Sequence, residues 1–124
     1  MERPIIVIAE DEILVRLTLV CELEQDYEVI EARDGSEAIQ SITTYRERIH
    51  AILTDIHMPD VDGWAVLAFA VEQQLPCRLI VMSADAIEHD ARWQQYPQAR
   101  FFPKPTDTTA MKQCLAQAHA EARL

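Results

Sequence analysis

Basic residues are scarce in this chain. Lys and Arg number 11 against 21 Asp and Glu, for a formal net charge of −10. Nonspecific nucleic-acid binding needs cations that neutralise phosphates, so this balance argues against it. A solvated acidic surface explains most of the excess, and a concentrated cation site fits it as well. Long apolar runs are missing too: the uninterrupted stretches span a few residues, far short of the ~20 that cross a membrane. The start, Met1-Glu2-Arg3-Pro4, has no charged region followed by a long apolar segment, so secretion is not indicated and a cytoplasmic location is expected. Cysteine is limited to Cys21, Cys77 and Cys114, an odd number without a CxxC pair, each in or beside an apolar segment. Reduced, partly buried thiols are expected there, not a disulfide or a zinc site. Repeats, low-complexity tracts and linkers are absent as well, and 124 residues read as one domain, 1–124, with a single core.

What is present is an alternation of strand and helix, five times over. Ile5 to Ala9 is rich in β-branched residues and reads as a strand. From Asp11 to about Glu24, a helix places Leu14, Leu17, Val20 and Cys21 on one face. Tyr27 to Ala32 is the second strand, and Asp34-Gly35-Ser36 supplies a turn and an N-cap. A helix with Ala38, Ile39, Ile42 and Tyr45 at helical spacing then runs to about Arg48. The third strand, His50 to Thr54, ends at Asp55, and a loop with Pro59, Asp60, Asp62 and Gly63 follows. A third helix from Gly63 or Trp64 carries Val66, Leu67 and Ala70, and Pro76 stops the connection. Arg78 to Met82 is the fourth strand. A polar, weakly periodic helix from Ala84 to about Gln95, anchored by Trp93, leads to the fifth strand, Ala99 to Pro103. A last helix, capped by Thr106 or Asp107, buries Met111, Cys114, Leu115 and Ala118. Continuous apolar strands between helices imply a parallel sheet covered on both faces, and five such units fit an open doubly wound α/β sheet.

In such a sheet, ligands bind beyond the carboxyl ends of the strands. The informative polar residues fall there: Glu10 and Asp11 after the first strand, Asp55 after the third, Ser83 after the fourth and Lys104 after the fifth. Clustered carboxylates repel one another unless a cation neutralises them, and Mg²⁺ prefers hard oxygen ligands. An Asp can attack a phosphoryl group, a Lys ammonium can hold a phosphate oxygen, and a Ser hydroxyl can donate to another. Alone, each residue has a plainer role. Glu10, Asp11 and Ser83 would be helix caps or solvated groups, Lys104 a surface lysine, His57 a loop residue and Phe101 a core residue. Together, on one edge of one sheet, they read as a functional site.

In that order and at those spacings, Glu10-Asp11, Asp55 with Met58-Pro59 and Gly63, Ser83-Ala84 and Lys104-Pro105 resemble the receiver domain of two-component response regulators, the chemotaxis response regulator among them. The resemblance runs from Ile5 to the last helix. It implies a flavodoxin-like five-stranded parallel sheet in the order 2-1-3-4-5, with helices on both faces. It implies that Asp55 is the phosphoacceptor. Mg²⁺ would be held by Asp11, Asp55 and the His57 backbone carbonyl, with Glu10 acting through a metal-bound water. Lys104 would contact the phosphate, and the Lys104–Pro105 peptide would be cis. Ser83 and Phe101 would be the switch pair, altering a surface built from the fourth helix, fifth strand and fifth helix. The phosphoryl donor would be a sensor histidine kinase or a histidine phosphotransfer protein, and the domain would catalyse only its own phosphorylation and dephosphorylation. His57 and Asp85 stand where the family tunes autodephosphorylation.

Four departures from the commonest family pattern stand out. Glu10 replaces Asp, Ser83 replaces Thr, Phe101 replaces Tyr and so lacks a hydroxyl, and Gln94 to Ala99 replaces a short Ala-Gly-Ala turn. Pro97 there should shorten or distort the end of the fourth helix. An alternative is therefore a receiver-like interaction module that works without phosphorylation. A metal-dependent phosphatase fits less well, because Asp55-Ile56-His57 lacks the second Asp of a DxD motif. A flavin-binding role fits least. Glu10-Asp11-Glu12 would repel a flavin phosphate, and no Ser/Thr/Gly-rich loop is present.

Overall fold

The computed structural model describes residues 3–122, with the side chains of residues 118–122 outside that description. Five parallel strands, β1 (Ile5–Ala9), β2 (Glu28–Ala32), β3 (Ile49–Asp55), β4 (Arg78–Ser83) and β5 (Arg100–Pro103), form one sheet in the order β2-β1-β3-β4-β5, as expected. Among the described residues, α1 (Ile13–Leu23), α2 (Gly35–Tyr45) and α3 (Gly63–Glu72) connect the first four strands, and α4 (Thr108–Ala122) follows β5. No described helix is long and apolar enough to cross a membrane.

Strand pleating sorts the core into two layers, because alternate side chains leave opposite faces of the sheet. Ile5, Val7, Ala9, Ile52 and Val81 pack under α2 and α3, whereas Ile6, Ile8, Leu53, Ile80 and Met82 pack under α1 and α4. The three central strands, β1, β3 and β4, are buried on both faces and carry the longest apolar runs, whereas the edge strands β2 and β5 expose Glu28, Glu31 and Arg100. Local chemistry starts α2 and α4 as the sequence leads one to expect, and a cap not foreseen there, Asp62, starts α3. Asp34, Asp62 and Asp107 each accept a backbone N–H three residues on, at 2.9, 3.0 and 3.0 Å. Helix α4 buries Met111, Cys114 and Leu115 as expected, while the side chain of Ala118 lies outside the described residues.

Two expectations fail. The first is the face of α1. Leu14 and Leu17 are 78% and 43% exposed and Cys21 is exposed, while Arg16, Leu19 and Leu23 point inward. Apolar residues lie on most sides of this helix, so spacing alone does not single out the buried stripe. The second is the helix from Ala84 to Gln95. In its place stand two 3-10 turns, Ile87–His89 and Ala91–Gln95, separated by an extended residue, Asp90 (φ −82°, ψ 129°). The apolar residues of this stretch, Ile87, Trp93 and Tyr96, recur at intervals of six and three. That is not an α-helical repeat, and short tight turns with a break between them let all three pack on the core. The Asp90 side chain fixes the break by accepting from the Arg92 backbone N–H at 2.9 Å. The fourth helix on which the expected output surface depends is not found among the described residues, and these two turns stand in its place.

Met111 is fully buried beneath the sheet. Met111→Ala should lower unfolding free energy by about 2–5 kcal/mol, the range for emptying a packed core site, as read from the urea midpoint at unchanged denaturant slope.

Candidate functional site

The sheet order reverses direction between β1 and β3, and this switch point is where an open α/β sheet presents its binding crevice. The register sets the level of each side chain there. Ala9 pairs with Thr54, so Glu10 and Asp55 come next on neighbouring strands, and Asp55 in turn pairs with Met82, one residue short of Ser83. Ser83 pairs with Pro103, one residue short of Lys104. Every strand-end residue singled out in the sequence therefore arrives at one edge.

The Lys104 ammonium lies at the centre. It donates to Glu10 Oε1 at 2.6 Å and to Asp55 Oδ2 at 3.1 Å. Glu10 is fully buried and Asp55 is 4% exposed, whereas Asp11 is exposed at the rim. Oxygens of Glu10, Asp11 and Asp55 lie within 4.8 Å of one another. The Asp55 Oδ1 atom faces the His57 N–H at 3.4 Å, and Glu10 Oε2 accepts from the Glu12 N–H at 3.2 Å. Burial pushes the Glu10 carboxyl up to about 7; hydrogen bonds from Lys104 and the Glu12 amide only partly oppose this, and the Asp55 charge adds to it. Burial acts to lower the Lys104 ammonium, but the two carboxylates together outweigh it and hold the group above its ordinary range. Three acids for one lysine leave negative charge to spare, and their hard oxygens suit a divalent cation such as Mg²⁺.

The backbone around Asp55 is shaped by one glycine. A Cβ on Gly63 would lie 2.2 Å from the Asp55 carbonyl oxygen, and the Gly63 N–H donates to Ile56 O at 2.9 Å. Residue 63 must lack a side chain for α3 to start this close beneath the strand end.

The remaining residues divide into those that meet the cluster and those that do not. The Ser83 hydroxyl is buried and accepts from the Asp85 N–H at 3.1 Å, and its carbonyl accepts from the Lys104 N–H at 2.9 Å. The Lys104–Pro105 peptide is cis. Phe101 stands apart from the carboxylates, edge-on to Trp93 with centroids 6.2 Å apart. His57 and Asp85, on two separate loops, form an exposed ion pair at 2.5 Å when the ring is protonated. Asp11 does not cap α1, whose N-cap position is Glu12 and carries no side-chain cap bond. Sequence reading missed Arg16, a nearly buried guanidinium that donates to Glu10 O at 2.8 Å and to Glu31 Oε1 at 3.0 Å. The signal was available: a single basic residue on a helix in which only Thr18 and Glu22 are otherwise polar.

Comparison with known proteins fixes the class. The family model for the response regulator receiver domain matches residues 6–116, and the chain belongs to this family. Among curated relatives, the aerobic respiration control protein ArcA of Escherichia coli (strain K12) is 34% identical over 91 residues, covering 73% of this chain and 37% of that protein. The CAI-1 autoinducer sensor kinase/phosphatase CqsS of Vibrio cholerae is 36% identical over 62 residues, covering 50% of this chain and 9% of that protein. The chain thus spans well under half the length of either. Among solved structures, the receiver domain of the hybrid histidine kinase CckA is 27% identical with a TM-score of 0.77, covering 92% of this chain and 97% of that one. A response regulator receiver domain from Clostridium thermocellum is 20% identical with a TM-score of 0.86 and 96% coverage of both, a likeness of fold alone.

The raised Glu10 carboxyl has a consequence for metal-free protein. Between its ordinary value of 4.5 and about 7 the folded chain keeps a proton that the unfolded chain releases. This contribution to stability is therefore complete below pH 4.5 and is lost as pH rises through 7. Glu10→Gln, which cannot titrate, should flatten the fall in urea midpoint between pH 5 and 7.5. An unchanged slope would show that Glu10 ionises normally.

Proposed function

We propose that residues 1–124 act as one receiver unit that takes a phosphoryl group onto Asp55 from a phosphohistidine. The observation that carries this reading is the Asp55 carboxylate: it ends the middle strand, is almost fully buried, and shares one lysine with a second buried acid. An ordinary structural ion pair matches one acid to one base. The surplus of carboxylates, gathered within 4.8 Å of one another, would suit a divalent cation; Asp11, Asp55 and the His57 carbonyl would hold it, and Glu10 would act through a bound water. Bound there, Mg²⁺ would neutralise the acids and polarise the phosphoryl group.

The chain's own groups then have defined tasks. An Asp55 oxygen attacks phosphorus, the donor P–N bond breaks, and the imidazole keeps the electron pair. Lys104, already on Asp55 Oδ2, contacts a phosphate oxygen. Ser83 turns its hydroxyl from the Asp85 amide to donate to another oxygen. Hydrolysis of the acyl phosphate later restores the carboxylate, so the domain processes only its own modification and is not a turnover enzyme. The donor is a sensor histidine kinase or a histidine phosphotransfer protein, which agrees with the likeness to the CckA receiver and to CqsS. Exposed Ile13, Leu14 and Leu17, beside a groove of about 300 Å³ that reaches Lys104 and Pro105, offer such a protein an apolar surface close to the site. The free thiols of Cys21, Cys77 and Cys114 suit a reducing compartment such as the cytoplasm.

Movement of Ser83 toward the phosphate, with Phe101 turning inward, would reach the surface through Trp93, whose ring meets the Phe101 edge. The segment from Ile87 to Tyr96 would then be the part that changes. Incubation with acetyl phosphate and Mg²⁺ should add one phosphoryl mass by intact mass spectrometry, and none in Asp55→Ala. No gain in the wild type, or an equal gain in the variant, sinks this reading.

The 3-10 turns in place of an α-helix favour a second reading, a receiver-like module that binds its partner without phosphorylation. The two readings part on a phosphoryl mimic. Beryllofluoride with Mg²⁺ should quench or shift Trp93 fluorescence, against a Trp64→Phe background, if the switch operates. An unchanged Trp93 signal and unchanged partner affinity would favour the constitutive module.

A further inference from the structure

We infer that Arg16 is a positioning residue for the cation site, fastening the β1–α1 turn that carries Glu10 and Asp11 and taking its own bearing from Glu31 on the edge strand β2. The inference rests on the proposed receiver reading and adds to it a residue pair outside the acid cluster.

Arg16 is 7% exposed and sits one turn into α1, on its inner face. Its guanidinium reaches back across the sheet edge. One nitrogen donates to the Glu10 carbonyl at 2.8 Å, and another donates to the Glu31 carboxylate at 3.0 Å. The Glu10 carbonyl lies after β1 has ended and before α1 has begun, outside both ladders. A buried carbonyl left without a donor costs about 1–3 kcal/mol, so Arg16 meets a real need at this point. On the other side of the same residue, the Glu10 N–H donates to Ala32 O at 3.1 Å. The Glu10 backbone is thus held on both sides, by the end of β2 and by Arg16. Its side chain, and that of Asp11 beside it, are aimed from that fixed base. The planar fork of Arg suits this double task, whereas a Lys ammonium would serve one acceptor well and the other poorly.

Charge and position predict opposite signs, which makes the inference testable. By Coulomb attraction alone, removing a cation from the neighbourhood of an acidic site should tighten Mg²⁺ binding. If Arg16 positions the acids, its removal should weaken binding, by about tenfold or more, as for other outer supports of metal ligands. A loosened set of ligands should also discriminate less between Mg²⁺ and the larger, more tolerant Ca²⁺.

The experiment is calorimetric titration of the full chain with MgCl₂ and with CaCl₂, for wild type, Arg16→Met, Arg16→Lys and Glu31→Ala. Circular dichroism and urea midpoints identify the variants that remain folded. The wild-type Mg²⁺ isotherm tests the receiver reading itself: no binding would strike that reading and this inference with it. Given wild-type binding, the expected result is weaker Mg²⁺ affinity and a reduced Mg²⁺/Ca²⁺ ratio in Arg16→Met. Arg16→Lys and Glu31→Ala should fall between it and wild type. Glu31 is a partly exposed edge residue, so Glu31→Ala keeps the test alive if Arg16→Met fails to fold. Folded variants with a Mg²⁺ affinity and a Mg²⁺/Ca²⁺ ratio within twofold of wild type, or with tighter Mg²⁺ binding, overturn the inference and leave Arg16 a support of the fold alone.

Discussion

The bridge from Lys104 to both Glu10 and Asp55 is the interaction around which this end of the molecule is arranged. Two carboxylates at adjacent strand ends, both nearly withdrawn from water, would repel each other and drive one proton back on. A single ammonium between them, itself delivered by the neighbouring loop after β5, makes the pair tolerable. Burial still pushes the Glu10 carboxyl upward, and the Asp55 charge adds to it. In the proposed reading, the carboxylate surplus around this one ammonium is the charge that a divalent cation would neutralise.

The fold keeps this strained arrangement in place from below and behind. Gly63 allows α3 to begin against the Asp55 backbone, so the strand end cannot sag without displacing a helix. Arg16 and Ala32 hold the Glu10 backbone from opposite sides. The backbone hydrogen bond from Lys104 to Ser83 ties the start of the loop after β5 to the end of β4. The side of the molecule toward Ile87–Tyr96 is built differently. It rests on aromatic contacts, Trp93 on Phe101 and Tyr96 stacked on Trp64, with Arg92 over the Trp64 ring at 4.7 Å. Each aromatic pair contributes about 0.5–1.5 kcal/mol beyond the area it buries, so this side is held by ring packing and not by strand-end hydrogen bonds.

The parts of this architecture legible in the sequence are those governed by strong local or periodic signals. The apolar runs of β1, β3 and β4 were legible because burial on both faces leaves no polar alternation to confuse them, and short β-branched or aromatic runs marked the edge strands β2 and β5. Asp34 and Asp107 announced helix starts because a cap acts within three residues; Asp62, read only as a loop residue, caps α3 in the same way. The strand-end acids, Ser83 and Lys104 were found because the ends of parallel strands share an edge. The failures have physical causes as well. Nearly the whole circumference of α1 is apolar, so its period could not say that Leu14 faces outward and Arg16 inward. The stretch from Ala84 to Gln95 carries no 3.6-residue repeat, and its backbone follows the aromatic pockets that Ile87, Trp93 and Tyr96 fill. Arg16 escaped notice because its partners, Glu10 O and Glu31, are a backbone atom and a residue on another strand.

By itself, then, the sequence determined the class of fold, the order of its elements and the identity of the acids, serine and lysine that meet at one edge. Those follow from hydrophobic pattern and from topology, which the chain carries locally. Only the tertiary structure decided which face of α1 is buried, that Lys104 is shared between two acids, that Arg16 underpins one of them, and that turns replace a helix before β5. Each of these depends on distances between residues far apart in the chain, and such distances come into being only when the layers pack.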